Sequence, residues 1–310
     1  MIVKPVDVLT AFPVRRKNQQ KAALRHEIQS YAEKLGYTVA MEKTSFGGTN
    51  VIIGNPKFAK YLGTAHYDTP GTIGIPNFIT PCNGVVFALY QILLIGALVV
   101  FSIFCGVAVA LALKIPEFAG LIGVAVYWFL LAMMRFGPAN KHNANDNTSG
   151  VITLLEIAGS MPEIHRNRVC FVLFDMEEYG LIGSASYRKS HKEETENQMI
   201  LNLDCVGDGD HIVFFPTKKL KKDRRKLNPL YTCCGQFGSK YITIRDKGFA
   251  NYPSDQNKFP YGIGIAALRK GKLGLQLSRI HTKKDTILEQ TNVNILRAAI
   301  CTLISCYAAQ

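Results

Sequence analysis

The sequence predicts an α/β fold: a mostly parallel central sheet with helices on both faces, into which a two-helix transmembrane hairpin is inserted. Three observations carry this. Strand-like and helix-like segments alternate after Lys141 at lengths that suit a sheet covered by helices. The run Val169–Phe174 is apolar without interruption, as a strand buried on both faces must be. Between these halves the composition changes abruptly, because no charged residue occurs from Val85 to Leu113.

Taken in order, Arg15–Leu35 places Leu24, Ile28, Tyr31 and Leu35 on one helical face, and Gly36 supplies a stop. Short strands are expected at Tyr37–Met41, Asn50–Ile53 and Tyr61–His66. A turn-rich stretch follows Pro70, with Gly71, Gly74, Pro76, Pro81 and Gly84. After the uncharged run to Leu113 come Lys114-Ile115-Pro116-Glu117 and a second uncharged run, Phe118–Met134, that ends at Arg135. A bilayer core of ~30 Å needs roughly 20 helical residues. The first run exceeds that length and the second barely meets it, with Tyr127 and Trp128 as candidate interface residues. The alternative is a buried helix pair covering a core. Beyond Lys141, helices are expected at Thr148–Met161, Gly180–Ser190 and Val293–Ala308, and strands at Val169–Phe174, Met199–Val206 and His211–Phe215. The expected domains are therefore a discontinuous unit, residues 1–84 and 135–310, and a hairpin, residues 85–134.

Charge narrows the partners. Thirty-six Lys and Arg against 23 Asp and Glu give +13, which favours a polyanion or an anionic membrane. No helix-turn-helix, zinc finger or aromatic RNA-reading motif is present, so the lipid bilayer is the expected partner and nucleic acid is not. The eight cysteines lack CxxC pairing and read as free thiols of a reducing compartment. The first forty residues hold no apolar run of signal-peptide length, and Lys60, Arg135 and Lys141 flank the hairpin. An integral membrane protein with a cytoplasmic catalytic domain is therefore expected. The cluster Lys218–Lys226 suits an anionic leaflet about as well as a solvated helix face.

Acids and imidazoles gather at the ends of expected strands, where an open α/β sheet makes its crevice. The segments are Thr64-Ala65-His66-Tyr67-Asp68-Thr69, Asn145-Asp146-Asn147-Thr148-Ser149-Gly150, Asp175-Met176-Glu177-Glu178-Tyr179-Gly180, Asn202-Leu203-Asp204-Cys205 and His281-Thr282-Lys283-Lys284-Asp285-Thr286. Two imidazoles and three carboxylates suit zinc, with cobalt or manganese as possible substitutes. A further carboxylate is needed to move a proton. The pair Glu177-Glu178 offers one residue to a metal and one to water.

In order and wording these segments resemble metallopeptidase family twenty-eight, the zinc aminopeptidases related to glutamate carboxypeptidase and glutaminyl cyclase. The resemblance covers roughly Arg15–Gly71 and Lys141–Ala308, and includes Ser254-Asp255…Gly262-Ile263. It implies a zinc exopeptidase-like fold and two Zn²⁺, with Asp146 shared between them. His66 and Asp204 would complete one ion, and Glu178 and His281 the other. Glu177 would be the general base and acid, Asp68 would orient His66, and Gly150 and Gly180 would serve close turns. Asp285 would hold the loop after His281. Asp255 and Tyr252 are the candidate substrate-binding residues. Two positions depart from the pattern: Gln256 stands where the family has His, and Tyr252 matches an oxyanion-assisting tyrosine only approximately. Cys205 reads as a core residue. Glutaminyl cyclases use a single zinc, which the five-ligand set argues against.

The expected activity is hydrolysis of N-terminal peptide bonds by an aminopeptidase, on peptides at or released from the membrane. A carboxypeptidase or another amidase on the same scaffold is the nearest alternative. A catalytically inactive membrane receptor or scaffold is the alternative from another class. Nothing in the pattern specifies an oligomeric state.

Overall fold

A computed structural model describes residues 4–72, 77–248 and 250–307. Gly74, Pro76 and Ala308, to which the sequence assigns turn and helix positions, lie outside the described residues. The chain opens with α1 (Asp7–Ala11), α2 (Asn18–Lys34), β1 (Val39–Lys43), β2 (Thr49–Ile53) and β3 (Tyr61–His66). The long helices α3 (Gly84–Ala112) and α4 (Ala119–Phe136) come next, then α5 (Gly150–Ser160), β4 (Val169–Phe174), α6 (Ile182–Ser190) and α7 (Lys192–Thr195). The remainder comprises β5 (Met199–Leu203), β6 (His211–Pro216), α8 (Lys218–Lys222), α9 (Arg224–Leu227), β7 (Gly235–Phe237), β8 (Lys240–Ile244), β9 (Gly262–Gly271), β10 (Gly274–Gln276) and α10 (Gln290–Tyr307).

Among the described residues the strands form one sheet in the order β1-β2-β4-β3-β5-β9-β6-β8-β7, with β10 pairing β9. The four central strands, β4-β3-β5-β9, run parallel. Both flanks bring antiparallel pairs, β1 with β2 and β2 with β4 on one side, β9 with β6 and β7 with β8 on the other. The sheet is thus mixed rather than mostly parallel. Hydrophobic periodicity reports burial and not strand direction, so the antiparallel flanks leave no mark in the pattern the sequence shows.

Burial on both faces explains the apolar strands. In β4, Val169, Phe171 and Leu173 join a core with Leu24 and Ile28 of α2, Leu154 of α5 and Leu303 of α10. The alternate residues Cys170, Val172 and Phe174 pack on the other face with Tyr187 of α6 and Phe259. Every residue of β3, β4 and β5 is buried.

The hairpin stands apart from this core. Helix α3 spans 29 residues and 116–136 spans 21, and 18-residue stretches within them reach mean hydropathies of 2.9 and 1.8. Both are long and apolar enough to cross a bilayer. They are not a buried pair: Leu93 is 71% exposed, Leu121 69% and Trp128 64%. The two helices meet through small residues. A Cβ at Gly106 would lie 2.5 Å from the Ala119 carbonyl oxygen and 2.6 Å from the Gly123 nitrogen, the close approach that apolar solvent favours between helices. At the root, Asn83 caps α3 by accepting from the Val86 amide. The chain before the hairpin is tied to the chain after it, because Thr72 donates to the Pro138 carbonyl and Asn140 to the Pro70 carbonyl. The hairpin therefore grows from the C-terminal end of β3, on the side of the sheet where the strand ends converge.

The basic cluster makes contacts within the protein. Lys219 pairs with Glu196, Arg224 with Asp246, and Lys226 sits over the Tyr261 ring. These partners are at the start of β5 and β9 and just past the end of β8, while Lys221 donates to the carbonyl of Ala250, which lines a cavity with Asn83 and Val85 at the hairpin root. Several of these cations are therefore engaged with the protein's own carboxylates and rings.

Candidate metal centre

The five segments meet. His66 ends β3, Asp204 follows β5, and Glu177 and Glu178 follow β4. Asp146 lies on the turn before α5, and His281 on the loop before α10. The two carboxylate oxygens of Asp146 face different imidazoles. One is 3.3 Å from His66 Nε2, and the other is 2.9 Å from His281 Nε2. Asp204 stands 3.8 Å from His66 Nε2, and Glu178 stands 3.6 Å from His281 Nε2. Two triads result, His66-Asp146-Asp204 and Asp146-Glu178-His281, and Glu177 groups with His66 and Glu178.

These spacings fit a metal. Ligand bonds of ~2.0 Å at tetrahedral angles place donor atoms about 3.3 Å apart. The buried Glu178 Oε1 has no hydrogen-bond partner, which an isolated carboxylate oxygen rarely tolerates.

The surroundings hold the donors in place. Asp68 lies 3.4 Å from His66 Nδ1 and accepts from the amides of Glu177 (3.1 Å) and Glu178 (3.2 Å). It thus ties the β3 end to the β4 end and stands beside the imidazole. Asp285 accepts from the amides of Asn145 (2.7 Å) and Asp146 (3.0 Å), so it secures the loop of the shared carboxylate. Gly150 is required by crowding, since a Cβ there would lie 2.3 Å from both Asn147 Oδ1 and the Leu203 carbonyl. Gly180 adopts φ +103, the region that favours glycine. Met176, Leu181, Cys205 and His281 also have positive φ. Such conformations cost of order 1–3 kcal/mol each and cluster at functional sites.

Three supports are given no role by the sequence. Ser254 donates to Asp204 Oδ2 at 2.5 Å. Asn145 Oδ1 accepts from the Gly207 (2.7 Å) and Asp208 (3.1 Å) amides. Arg15, expected to open a helix, precedes α2 and is wholly buried. Its guanidinium donates to the carbonyls of Tyr67 (2.6 Å) and Phe12 (2.7 Å) and to the Thr148 hydroxyl (3.0 Å). It thereby stitches the His66 strand end to the Asp146 turn. Burial lowers its pKa to about 10, opposed by Asp68 and Asp146. Arg15→Gln is expected to cost about 3 kcal/mol, the scale for breaking a buried charge network. Urea unfolding of the detergent-solubilised chain would measure this, and a loss below 1 kcal/mol would contradict it.

The substrate-binding candidates divide. Tyr252 is buried and stacked on Phe215, and its hydroxyl donates to the Asp204 main-chain carbonyl at 3.4 Å. Its hydroxyl is thus engaged with the main chain at Asp204. Asp255 is fully buried and neither oxygen has a hydrogen-bond partner. Gln256 is spent internally: it donates to the Tyr252 carbonyl and accepts from Asn202. Cys205 is a core residue, as expected.

Electrostatics show a centre short of positive charge. Burial would lower His281, but Glu178 and Asp146 outweigh it and push it up to about 9. Burial drives Glu178 up to about 8 and Asp255 to about 7, in each case against a nearby imidazole. Glu177 is raised well above the carboxylate range, first by burial. Burial also acts to raise Asp146, yet its bonds to His281 and His66 hold it below the usual range. A cation entering must displace the protons on Glu178 and His281. Metal affinity should therefore rise as pH increases from 6 to 9, with more protons released at pH 7 than at pH 9. Calorimetry in buffers of different ionisation enthalpy reads this directly, and binding without proton release would contradict it.

With this geometry in place, known proteins can be compared. The sequence model of peptidase family M28 matches residues 132–304, more than half of the chain. The chain belongs to peptidase family M28. The matched range holds Asp146, Glu177, Glu178, Asp204 and His281, while His66 and Asp68 precede it. Aminopeptidase YwaD of Bacillus subtilis is 39% identical over 67 residues, 21% of this chain and 15% of that protein. The match thus spans a small part of that relative's length. Among solved structures, a Zn-dependent exopeptidase from Parabacteroides distasonis superposes with a TM-score of 0.63 at 17% identity, covering 96% of this chain and 94% of that one. Tannerella forsythia glutaminyl cyclase gives 0.61 at 16% identity, with 97% and 96% covered. A leucine aminopeptidase precursor from Bacteroides thetaiotaomicron gives 0.58 at 15%, with 97% and 94% covered. At these identities the M28 chain shares their fold.

Proposed function

We propose that this M28 chain is a membrane-tethered, dinuclear zinc aminopeptidase that removes N-terminal residues from peptides at or released from the bilayer. The observation that carries this reading is the placement of the two Asp146 oxygens, one on each imidazole. His66, Asp146 and Asp204 would hold one zinc, and Asp146, Glu178 and His281 the other, with Co²⁺ or Mn²⁺ as substitutes. Bound there, the ions would polarise the scissile carbonyl and acidify water.

The chain's own groups do the rest. Glu177 takes the proton from the attacking water and delivers it to the leaving amine, which requires a carboxylate that is not itself a ligand. Asp68 positions His66 and, through the two amides it binds, the Glu177-Glu178 loop. Asp255, a buried carboxylate without a hydrogen-bond partner, accepts the substrate's ammonium group. The exposed apolar surfaces of α3 and α4 support insertion in the bilayer. Arg16, Arg135 and Lys141 near the root of the hairpin support a cytoplasmic catalytic domain.

The test is release of a fluorophore from aminoacyl amides by the full chain, abolished by a chelator and restored by zinc, beside the same peptides blocked at the N-terminus. Turnover of blocked peptides alone would favour a carboxypeptidase or amidase. Cyclisation of N-terminal glutamine without hydrolysis would favour the chemistry for which the Tannerella neighbour is named. Retention in the pellet after alkaline carbonate extraction is the expected sign of insertion.

A further inference from the structure

A cavity of about 360 Å³ opens on Glu178 and His281, and its opposite wall is made by the hairpin root and the chain before α2. That wall carries Arg16 and Arg135, with Leu131 and Met134 beside them, and Tyr179 meets it from the Glu178 loop. Arg16 is fixed: Nε donates to the Tyr179 hydroxyl at 3.3 Å, and the other nitrogens donate to the carbonyls of Arg135 (2.7 Å) and Gly137. The Arg135 guanidinium lies 5.4 Å from the centre of the Tyr179 ring, a stacking contact that restricts it without neutralising it. Among the described residues no carboxylate lies within 4 Å of either guanidinium, although both sit in an acid-rich site. Tyr179 directly follows the Glu177-Glu178 pair, so the stack is joined to the metal loop by a single peptide bond.

We infer that this wall reads a carboxylate on the substrate. The preferred substrates would then be short peptides that carry an acidic side chain or a free C-terminus close to the scissile bond. Guanidinium groups with open donors match a carboxylate in shape and charge, and the volume suits one or two residues rather than an acyl chain. An anionic lipid headgroup would also satisfy a cation, but a headgroup reader has no need to share its cavity with Glu178 and His281. The inference rests on the peptidase reading for its substrate class, while the carboxylate site can be measured as binding alone.

The experiment uses the full chain in zwitterionic nanodiscs, loaded with zinc. Peptide pairs that differ only as Glu against Gln, or as free acid against C-terminal amide, are compared by kcat/KM and by calorimetric binding. The acid member should be favoured by about tenfold or more. Arg135→Gln should bring the ratio towards one and Arg135→Glu should invert it. An acid-to-amide ratio that is the same in all three proteins overturns the inference. So does an effect of Arg135→Glu that appears only when phosphatidylglycerol is added, which would assign the arginine to the leaflet. Acid-selective binding lost in Arg135→Glu, with no peptide cleaved by any form, would sustain the carboxylate site and sink the peptidase reading.

Discussion

Glu177→Gln should retain the wild-type metal content and lose about 10²–10⁴-fold in kcat, the usual contribution of a positioned general base. The substitution keeps the size and shape of the side chain and removes only its capacity to take a proton. The bond that orients this residue, from its main-chain amide to Asp68, does not involve the carboxylate and survives the change. Chelator-sensitive turnover of an aminoacyl amide, beside elemental analysis of the same sample, separates the two effects. Unchanged turnover would remove Glu177 from the proton path. Loss of metal together with turnover would make Glu177 a ligand, which its grouping with His66 and Glu178 makes the competing role.

Asp146→Asn has the larger structural reach. Asn keeps the volume and the main-chain amide that Asp285 accepts from, so the turn should hold its course. What it loses is the charge and one of the two oxygens that face His66 and His281. Both candidate ions should then weaken together, by more than the 10–100-fold that follows loss of an outer-sphere partner. His281→Ala should release one ion and spare the other. Equilibrium dialysis against graded free zinc reads both. Tight retention of one ion by Asp146→Asn would show that the triads do not depend on a common carboxylate.

Much of this site is legible in the amino-acid sequence, and the reason is local. Asp146, Glu177 and Glu178, Asp204 and His281 each sit in a short segment whose neighbours also have a task, such as Gly150 against the Leu203 carbonyl. Strand β4 runs where its apolar stretch places it, because burial on both faces leaves it no polar residue. Arg15 is not legible. A cation beside Arg16 and Lys17 near the start of a chain reads as solvated, and only the tertiary approach of Tyr67 and Thr148 makes it an internal brace. Strand β9 is obscured because Gly262, Gly264 and Gly271 dilute its pattern, yet two of these glycines are demanded by contact with Gln256.

The claim on which the rest depends is that two ions share Asp146. Zinc-edge anomalous scattering from crystals of the loaded chain, with metal content determined on the same preparation, tests it most directly. Two ions per chain are expected, one ligated by His66 and Asp204, the other by Glu178 and His281, and both by Asp146. A single ion at full zinc occupancy, or a second ion away from Glu178 and His281, would contradict it.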